Sequence, residues 1–314
     1  DTWQNIYESL MAAGLASRNN EDQLLRVHWF MTYDPYTRNW QRSLSIKNRF
    51  DIRQHRTDLS KLLTKVQDYL VGLRATCSAY CDILRPGRHN AFADLHHDRL
   101  LRQKIQQTGK RLGRIGSIAN LLPLLTAVRL TASGQEMLRA LELCERFAFR
   151  VYRLGNRRGN TGQSRLYRVG YDHFQNGAFE QTENHLRWLV HHYFSDTRFE
   201  RSFSEDDNNW YGWSGLKYFL YEYEQYKADQ RGIMVRMPWE VLVMKKDTIE
   251  HILPQTMDRG GYWQARFTTE AHRHWVHDIG NLTLTYDNSS LSNRPFKSIL
   301  PQDGKKDMYA KSTL

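Results

Sequence analysis

Apolar residues spaced three and four apart dominate the first three-quarters of this 314-residue chain, and that spacing restricts most of it to helices. Leu59, Leu62, Leu63, Val66 and Leu70 recur at helical spacing, as do Met137, Leu138, Leu141, Cys144 and Phe147. The pattern predicts helices from Asp1 to about Gln230, broken at Asp34-Pro35, at Arg85-Pro86-Gly87 and between Gly155 and Gly162. Aromatic side chains crowd the segment from Trp210 to Tyr226 too densely for one helical face, which reads as core packing ahead of a base-stacking platform.

After Pro238 the texture changes. Val241-Leu242-Val243-Met244 and Thr248 to Leu253 read as short strands, and a second apolar run, Ile279 to Thr285, precedes a polar turn and a helix from about Asn288. The expected architecture is mainly α, with a large all-helical domain over 1–238 and a small domain over 239–314. A chain of this length has room for two cores.

Lys and Arg outnumber Asp and Glu by 45 to 34, and the pI of about 9.5 points to a polyanionic partner, nucleic acid before membrane. Residues 241–314 hold ten Lys/Arg against eight Asp/Glu, so most of the excess lies in the helical part. Two stretches there contain no acid. Arg99 to Arg114 carries Arg99, Arg102, Lys104, Lys110, Arg111 and Arg114, and Arg153 to Arg168 carries Arg153, Arg157, Arg158, Arg165 and Arg168. Phosphate contact and a solvated basic face are both open readings. No stretch approaches the ~20 apolar residues of a membrane helix. Cys77, Cys81 and Cys144 form no Cys-x-x-Cys pair and are expected as free, buried thiols in a reducing cytoplasm. The opening Asp1-Thr2-Trp3 is neither an initiator methionine nor a signal peptide, and reads as part of a longer protein.

Hydrolysing a phosphodiester needs a base to deprotonate water and a cation to neutralise the phosphate oxygens. A strand presenting Glu250-His251, a second strand beginning at Asn281 and a helix presenting Asn288 would supply one carboxylate, one imidazole and two amides in a single hairpin. Taken singly, each is an ordinary surface or turn residue.

Taken in order, the runs Ile249-Glu250-His251-Ile252-Leu253-Pro254-Gln255 and Ile279-Gly280-Asn281-Leu282-Thr283-Leu284, then Asn288 and Leu291-Ser292-Asn293-Arg294-Pro295-Phe296, resemble the HNH nuclease domain of GmrSD-like, modification-dependent type IV restriction endonucleases. The resemblance implies a ββα-metal (His-Me finger) fold and a metal-dependent DNA endonuclease, nicking or cutting both strands, in defence against foreign DNA. His251 resembles the general base, Glu250 the acidic metal ligand and Asn288 the second ligand. Asn281 resembles the middle asparagine, which holds the catalytic loop and orients the histidine. Asn293 assists or caps. The implied ion is Mg²⁺, or Mn²⁺, because carboxylate and amide oxygens suit hard cations. Arg157, Arg158, Arg165 and Arg168, with Asn293 and Arg294, are the candidate DNA contacts.

One departure from the family concerns a lysine it tends to carry about three residues after Pro-Phe. Here Pro295-Phe296 is followed by Lys297 and then an apparent insertion before Lys305, Lys306 and Tyr309, so the lysine role is unassigned. His272, His274 and His277 have no cysteine partners for zinc and read as DNA contacts or surface residues.

Asp22 to Phe50 and Trp213 to Glu224 are similar to the helical region between the two halves of such enzymes. The Asp-Gly-Gln-Gln-Arg signature of their amino-terminal NTPase-like module is absent. The resemblance therefore implies that module as a partner in the same protein, linked in relatives to sensing modified bases or phosphorothioate linkages. Two alternatives stand beside this reading. One is a non-catalytic helical nucleic-acid-binding or regulatory module with a decayed HNH domain, which the joint presence of His251, Asn281 and Asn288 disfavours. The other is an RNA nuclease.

Overall fold

The computed structural model describes residues 2–95, 97–204, 209–235, 237–245, 248–285, 288–298 and 303–311. Its first elements are α1 (Thr2–Ala12), α2 (Arg18–Thr32), α3 (Ser43–Arg49), α4 (Leu59–Leu84), α5 (Arg99–Ile115), α6 (Leu122–Thr131), α7 (Gly134–Phe147), α8 (Gln163–Asn176), α9 (Phe179–Tyr193) and α10 (Asp196–Ser204). They are followed by α11 (Leu216–Arg231), α12 (Trp239–Met244), β1 (Ile249–His251), α13 (Thr269–Trp275), β2 (Leu282–Leu284), α14 (Asn288–Leu291) and α15 (Lys305–Lys311). The chain is mainly helical and divides into two units, Asp1–Phe199 and Glu200–Leu314.

The first unit is built around α6. Every residue from Leu122 to Val128 is buried, so this helix must be covered on all sides, and α2, α4, α7 and α8 cover it. The approach of α8 depends on Gly170, where an added Cβ would stand 2.8 Å from Leu124 Cα and 2.9 Å from Leu124 N. The periodicity placed α4 correctly but not its buried face. Leu62 is buried, Leu59 and Leu63 face solvent, and the covered stripe continues through Tyr69, Leu73, Cys77 and Tyr80. Cys77 and Cys81 turn toward α1, their thiols donating weakly to Ile6 O and Ser9 O, and all three cysteines are free and buried. The breaks expected at Asp34-Pro35, Arg85-Pro86-Gly87 and Gly155 to Gly162 follow the ends of α2, α4 and the π-turn that extends α7.

Part of the basic excess has a structural use. Arg111 makes a bidentate pair with Glu145, joining α5 to α7, while Arg102 donates to Ala91 O and Arg153 to Ile115 O. Arg129 joins α6 to α4 through Asp82, which also accepts from Arg88. Burial raises the Asp82 pKa even so, against the pull of both guanidiniums. Among the described residues no helix is long and apolar enough to cross a membrane.

The boundary between the units precedes the change of texture at residue 238. Helix α11 packs against β2, so the aromatic segment before Pro238 belongs to the second unit. Tyr218 and Tyr221 are buried there, whereas Tyr223 and Tyr226 are exposed. Val241 to Met244, expected as a strand, lies in α12. Pro238 takes the N-cap with φ −63° and Glu240 sits in the first turn, and these helix-start features prevail over the strand preference of two valines.

The strands pair antiparallel, with Ile249 opposite Leu284, Glu250 opposite Thr283 and His251 opposite Leu282. Bonds from Ile252 N to Asn281 O and from Thr285 N to Thr248 O extend the ladder at both ends. Asn281 itself closes a 3-10 turn, Ile279–Asn281, and the second strand starts at Leu282.

Candidate active site

In the second unit a polar cavity of about 460 Å³ is bordered by Glu250 and His251 from the end of β1, by Gln255 and Thr256 from the following loop, and by Asn288 and Asn293 from α14 and its exit. Tyr211 forms part of its wall. Four residues singled out in the sequence thus meet at one place: Glu250, His251, Asn288 and Asn293.

Each is held by bonds that account for its position. Asn288 Nδ2 donates to Ile249 O at 3.1 Å, which fixes the amide and leaves Oδ1 as its acceptor end. Asn293 Nδ2 donates to Asp258 Oδ1. Glu250 is 3 % exposed; its Oε1 accepts from Lys305 Nζ at 2.6 Å and from the Tyr309 hydroxyl at 3.2 Å, while Oε2 takes part in neither bond. Burial raises the Glu250 pKa and lowers that of Lys305, so for both partners desolvation outweighs the attraction of the opposite charge.

His251 is 6 % exposed, and burial, then the neighbouring His277, then Lys305 hold its pKa down at about 4. The imidazole is therefore neutral at pH 7. Its Nε2 lies 3.2 Å from His277 Nδ1 and 3.4 Å from Gln255 Nε2, and the Tyr211 ring covers both imidazoles, with centroids 4.6 Å from His251 and 5.6 Å from His277.

Asn281 stands outside the cavity. Its Oδ1 accepts from Leu253 N at 2.7 Å, and its Nδ2 donates to Leu253 O at 3.0 Å and Val276 O at 2.9 Å. It clamps the loop after β1 and makes no hydrogen bond to His251. Its amide faces backbone on both sides, and the side chains against the His251 ring are those of His277, Gln255 and Tyr211. His272 adds a second brace on the same loop by bonding Pro254 O at 2.8 Å.

Two participants were not legible beforehand. Lys305, whose role the sequence left unassigned, is fully buried, and its ammonium donates to Glu250 Oε1, His251 O at 2.8 Å and Ile252 O at 3.2 Å. The reason is local: Lys305 N bonds Pro295 O and Lys306 N bonds Phe296 O, so the backbone at Lys305 lies beside the Pro-Phe pair. Gly304 permits this pairing, since a Cβ there would stand 2.9 Å from Phe296 O. The other is His277, read as a DNA contact or surface residue and found against His251.

Of the candidate DNA contacts, Arg294 is exposed, with Nε on Ser290 O and an ion pair to Asp303. Arg157, Arg158, Arg165 and Arg168 lie exposed in the first unit; Arg165 stacks on Trp188 at 4.5 Å and Arg168 pairs with Asp172.

A neutral imidazole, a carboxylate and an oriented amide around one polar cavity have the chemistry of a hydrolytic centre. Residues 193–314, a range that includes the whole second unit, match the family model described as GmrSD restriction endonucleases, C-terminal domain. No curated protein and no solved structure matches the chain significantly.

Proposed function

We propose that this chain hydrolyses DNA phosphodiesters as the nuclease effector of a GmrSD-like restriction enzyme, acting in defence against foreign DNA. The observation that carries the reading is the cavity that gathers Glu250, His251 and Asn288 inside the segment matched by the family. The antiparallel pair followed by a short helix supports a ββα-metal nuclease core over 239–314.

His251, neutral at pH 7, accepts the proton of the attacking water. Glu250 and Asn288 are the groups that would hold a divalent cation, Mg²⁺ or Mn²⁺. Among the described residues no group of three or more His, Cys, Asp and Glu is gathered to hold an ion. One carboxylate and one amide nevertheless fit a hard cation that keeps several waters and binds the substrate phosphate. When bound, such an ion neutralises the nonbridging phosphate oxygen and stabilises the leaving oxygen. Lys305 fixes the carboxylate and the carbonyls at the end of β1, and Asn281 fixes the loop beyond it. A single centre cuts one strand per event, so nicking comes first and a duplex break needs a second encounter.

The exposed arginines 157, 158, 165 and 168, with Asn293 and Arg294, are proposed to contact the DNA. An amino-terminal NTPase-like module is proposed to sense the modification. Plasmid cleavage with Mg²⁺ or Mn²⁺ and with EDTA, wild type beside His251→Ala, tests the centre. Metal-dependent nicking that His251→Ala abolishes is expected, and nicking retained by His251→Ala refutes it. Plasmids with and without phosphorothioate linkages, and an RNA of the same sequence, identify the substrate.

A further inference from the structure

A second cavity, of about 810 Å³, lies within the first unit between the start of α2 and the turn that leads into α3. Three arginines border it, Arg18 and Arg26 from α2 and Arg42 from the turn, against one carboxylate, Asp22. Arg18, Asp22 and Arg26 recur every fourth residue and form a row along one face of α2. No ion pair joins Asp22 to either arginine, and none involves Arg42, among the described residues. The lining therefore carries three guanidiniums against one carboxylate, an excess of positive charge.

The lining also defines the chemistry the cavity accepts. Arg26 Nε is buried without a hydrogen-bond partner, and its guanidinium lies over the rings of Phe30 at 5.4 Å and Tyr167 at 5.8 Å, supported by π faces where an anion would be the stronger partner. Trp40 borders the cavity half-buried, and its indole rests on Trp29 at 5.5 Å and Phe30 at 5.9 Å, so a rigid aromatic surface stands beside the guanidiniums. Arg42 has φ 57° and ψ −136°, a conformation suited to glycine, so a long basic side chain stands where backbone sterics disfavour any side chain.

We infer that this cavity binds a nucleotide unit, its base stacked on Trp40 and its phosphate held by Arg18, Arg26 and Arg42. Guanidiniums suit phosphate oxygens, an indole suits any base, and the volume lies within the range of small-molecule sites. Asp22 offers an acceptor for a sugar hydroxyl or an exocyclic amino group. The unit is either a free nucleotide or part of a single strand, and the inference is independent of the nuclease reading, which concerns the other unit.

The test uses the whole chain in EDTA with two probes: a fluorescently labelled short DNA single strand, followed by anisotropy, and dGTP, followed by calorimetry. Arg42→Gly is expected to weaken binding by about fivefold or more without lowering Tm, because glycine suits the backbone there. Trp40→Leu is expected to weaken binding to a similar degree through lost stacking. For the strand, Arg18→Gln with Arg42→Gly also lowers the slope of log affinity against log salt by about 0.7 for each phosphate no longer neutralised. Saturable dGTP binding that Arg42→Gly reduces assigns a free nucleotide; strand binding so reduced, with no dGTP binding, assigns a strand. The inference is overturned if the wild type binds neither probe, or if Trp40→Leu and the double arginine variant bind as tightly as wild type at every salt concentration.

Discussion

Replacing Lys305 by methionine tests how the candidate active site is held together. The ammonium is fully buried and donates to Glu250 Oε1, His251 O and Ile252 O. Methionine keeps much of the bulk and removes all three bonds, leaving a buried carboxylate with the Tyr309 hydroxyl and the His251 backbone but no cation. Removing one partner of a buried ion pair typically costs about 3–5 kcal/mol, a large share of the roughly 5–15 kcal/mol that stabilises a domain. Glu250 is shifted toward its neutral form and Lys305 likewise, so the pair as built recovers little of its own desolvation. Removing both charges, with Glu250→Gln and Lys305→Met together, should therefore restore most of the loss, and the cycle should show a coupling of about 2 kcal/mol or more. Hydrogen exchange read by mass spectrometry on peptides covering β1 and β2 localises the effect to this unit. A loss below about 1 kcal/mol in Lys305→Met, or a double variant as unstable as the sum of the singles, refutes the reasoning.

Acid should weaken the first unit through His28, which burial holds at about 4 against 6.5 when unfolded. Below pH 6.5 the unfolded chain binds a proton that the folded chain refuses, so stability falls by about 2 kcal/mol from pH 7 to 5 and by about 3 kcal/mol by pH 4. His28→Gln should flatten that slope in urea titrations, and an unchanged slope removes His28 from the account. Gly170→Val should lower stability by about 1–3 kcal/mol because its side chain meets the Leu124 backbone rather than a movable side chain; a Tm equal to wild type contradicts this. Charge reversal at Arg157 and Arg158 should reduce the salt dependence of DNA binding, and a constant slope excludes them as phosphate contacts.

What could be read from the sequence depends on the range of the interactions involved. Helices declare themselves through spacing within a few residues, and the breaks at Pro35, Pro86 and Gly155 fall where backbone chemistry ends them. Which face is buried depends on partners distant in sequence, so the spacing of Leu59 and Leu63 could not tell that both face solvent. Val241 to Met244 misled because β-branched residues suggest strands, whereas the cue set by Pro238 lies just outside the run. Glu250, His251 and Asn288 were recognisable as a contiguous pattern in order. Lys305 was not, because eight residues separate it from Phe296 and only the returning backbone bonds bring it back. His277 stood out only as one of three neighbouring histidines: its place beside His251 depends on the path of the chain between the two strands.

The separation of Glu250 and Lys305 also bears on the order in which the protein matures. The carboxylate and its cation are fifty-five positions apart in the sequence. Chains are made from the amino terminus, and domains fold in that direction during synthesis. Both strands, His251 and Asn288 are therefore synthesised before Lys305, the lysine that bonds Glu250. Until then that carboxylate is better kept in water than in a core, and the end of β1 has no ammonium to gather its carbonyls. The ion pair behind the cavity thus waits for the end of the chain, and a chain interrupted before residue 305 carries the whole recognisable motif without the cation that pairs with its carboxylate.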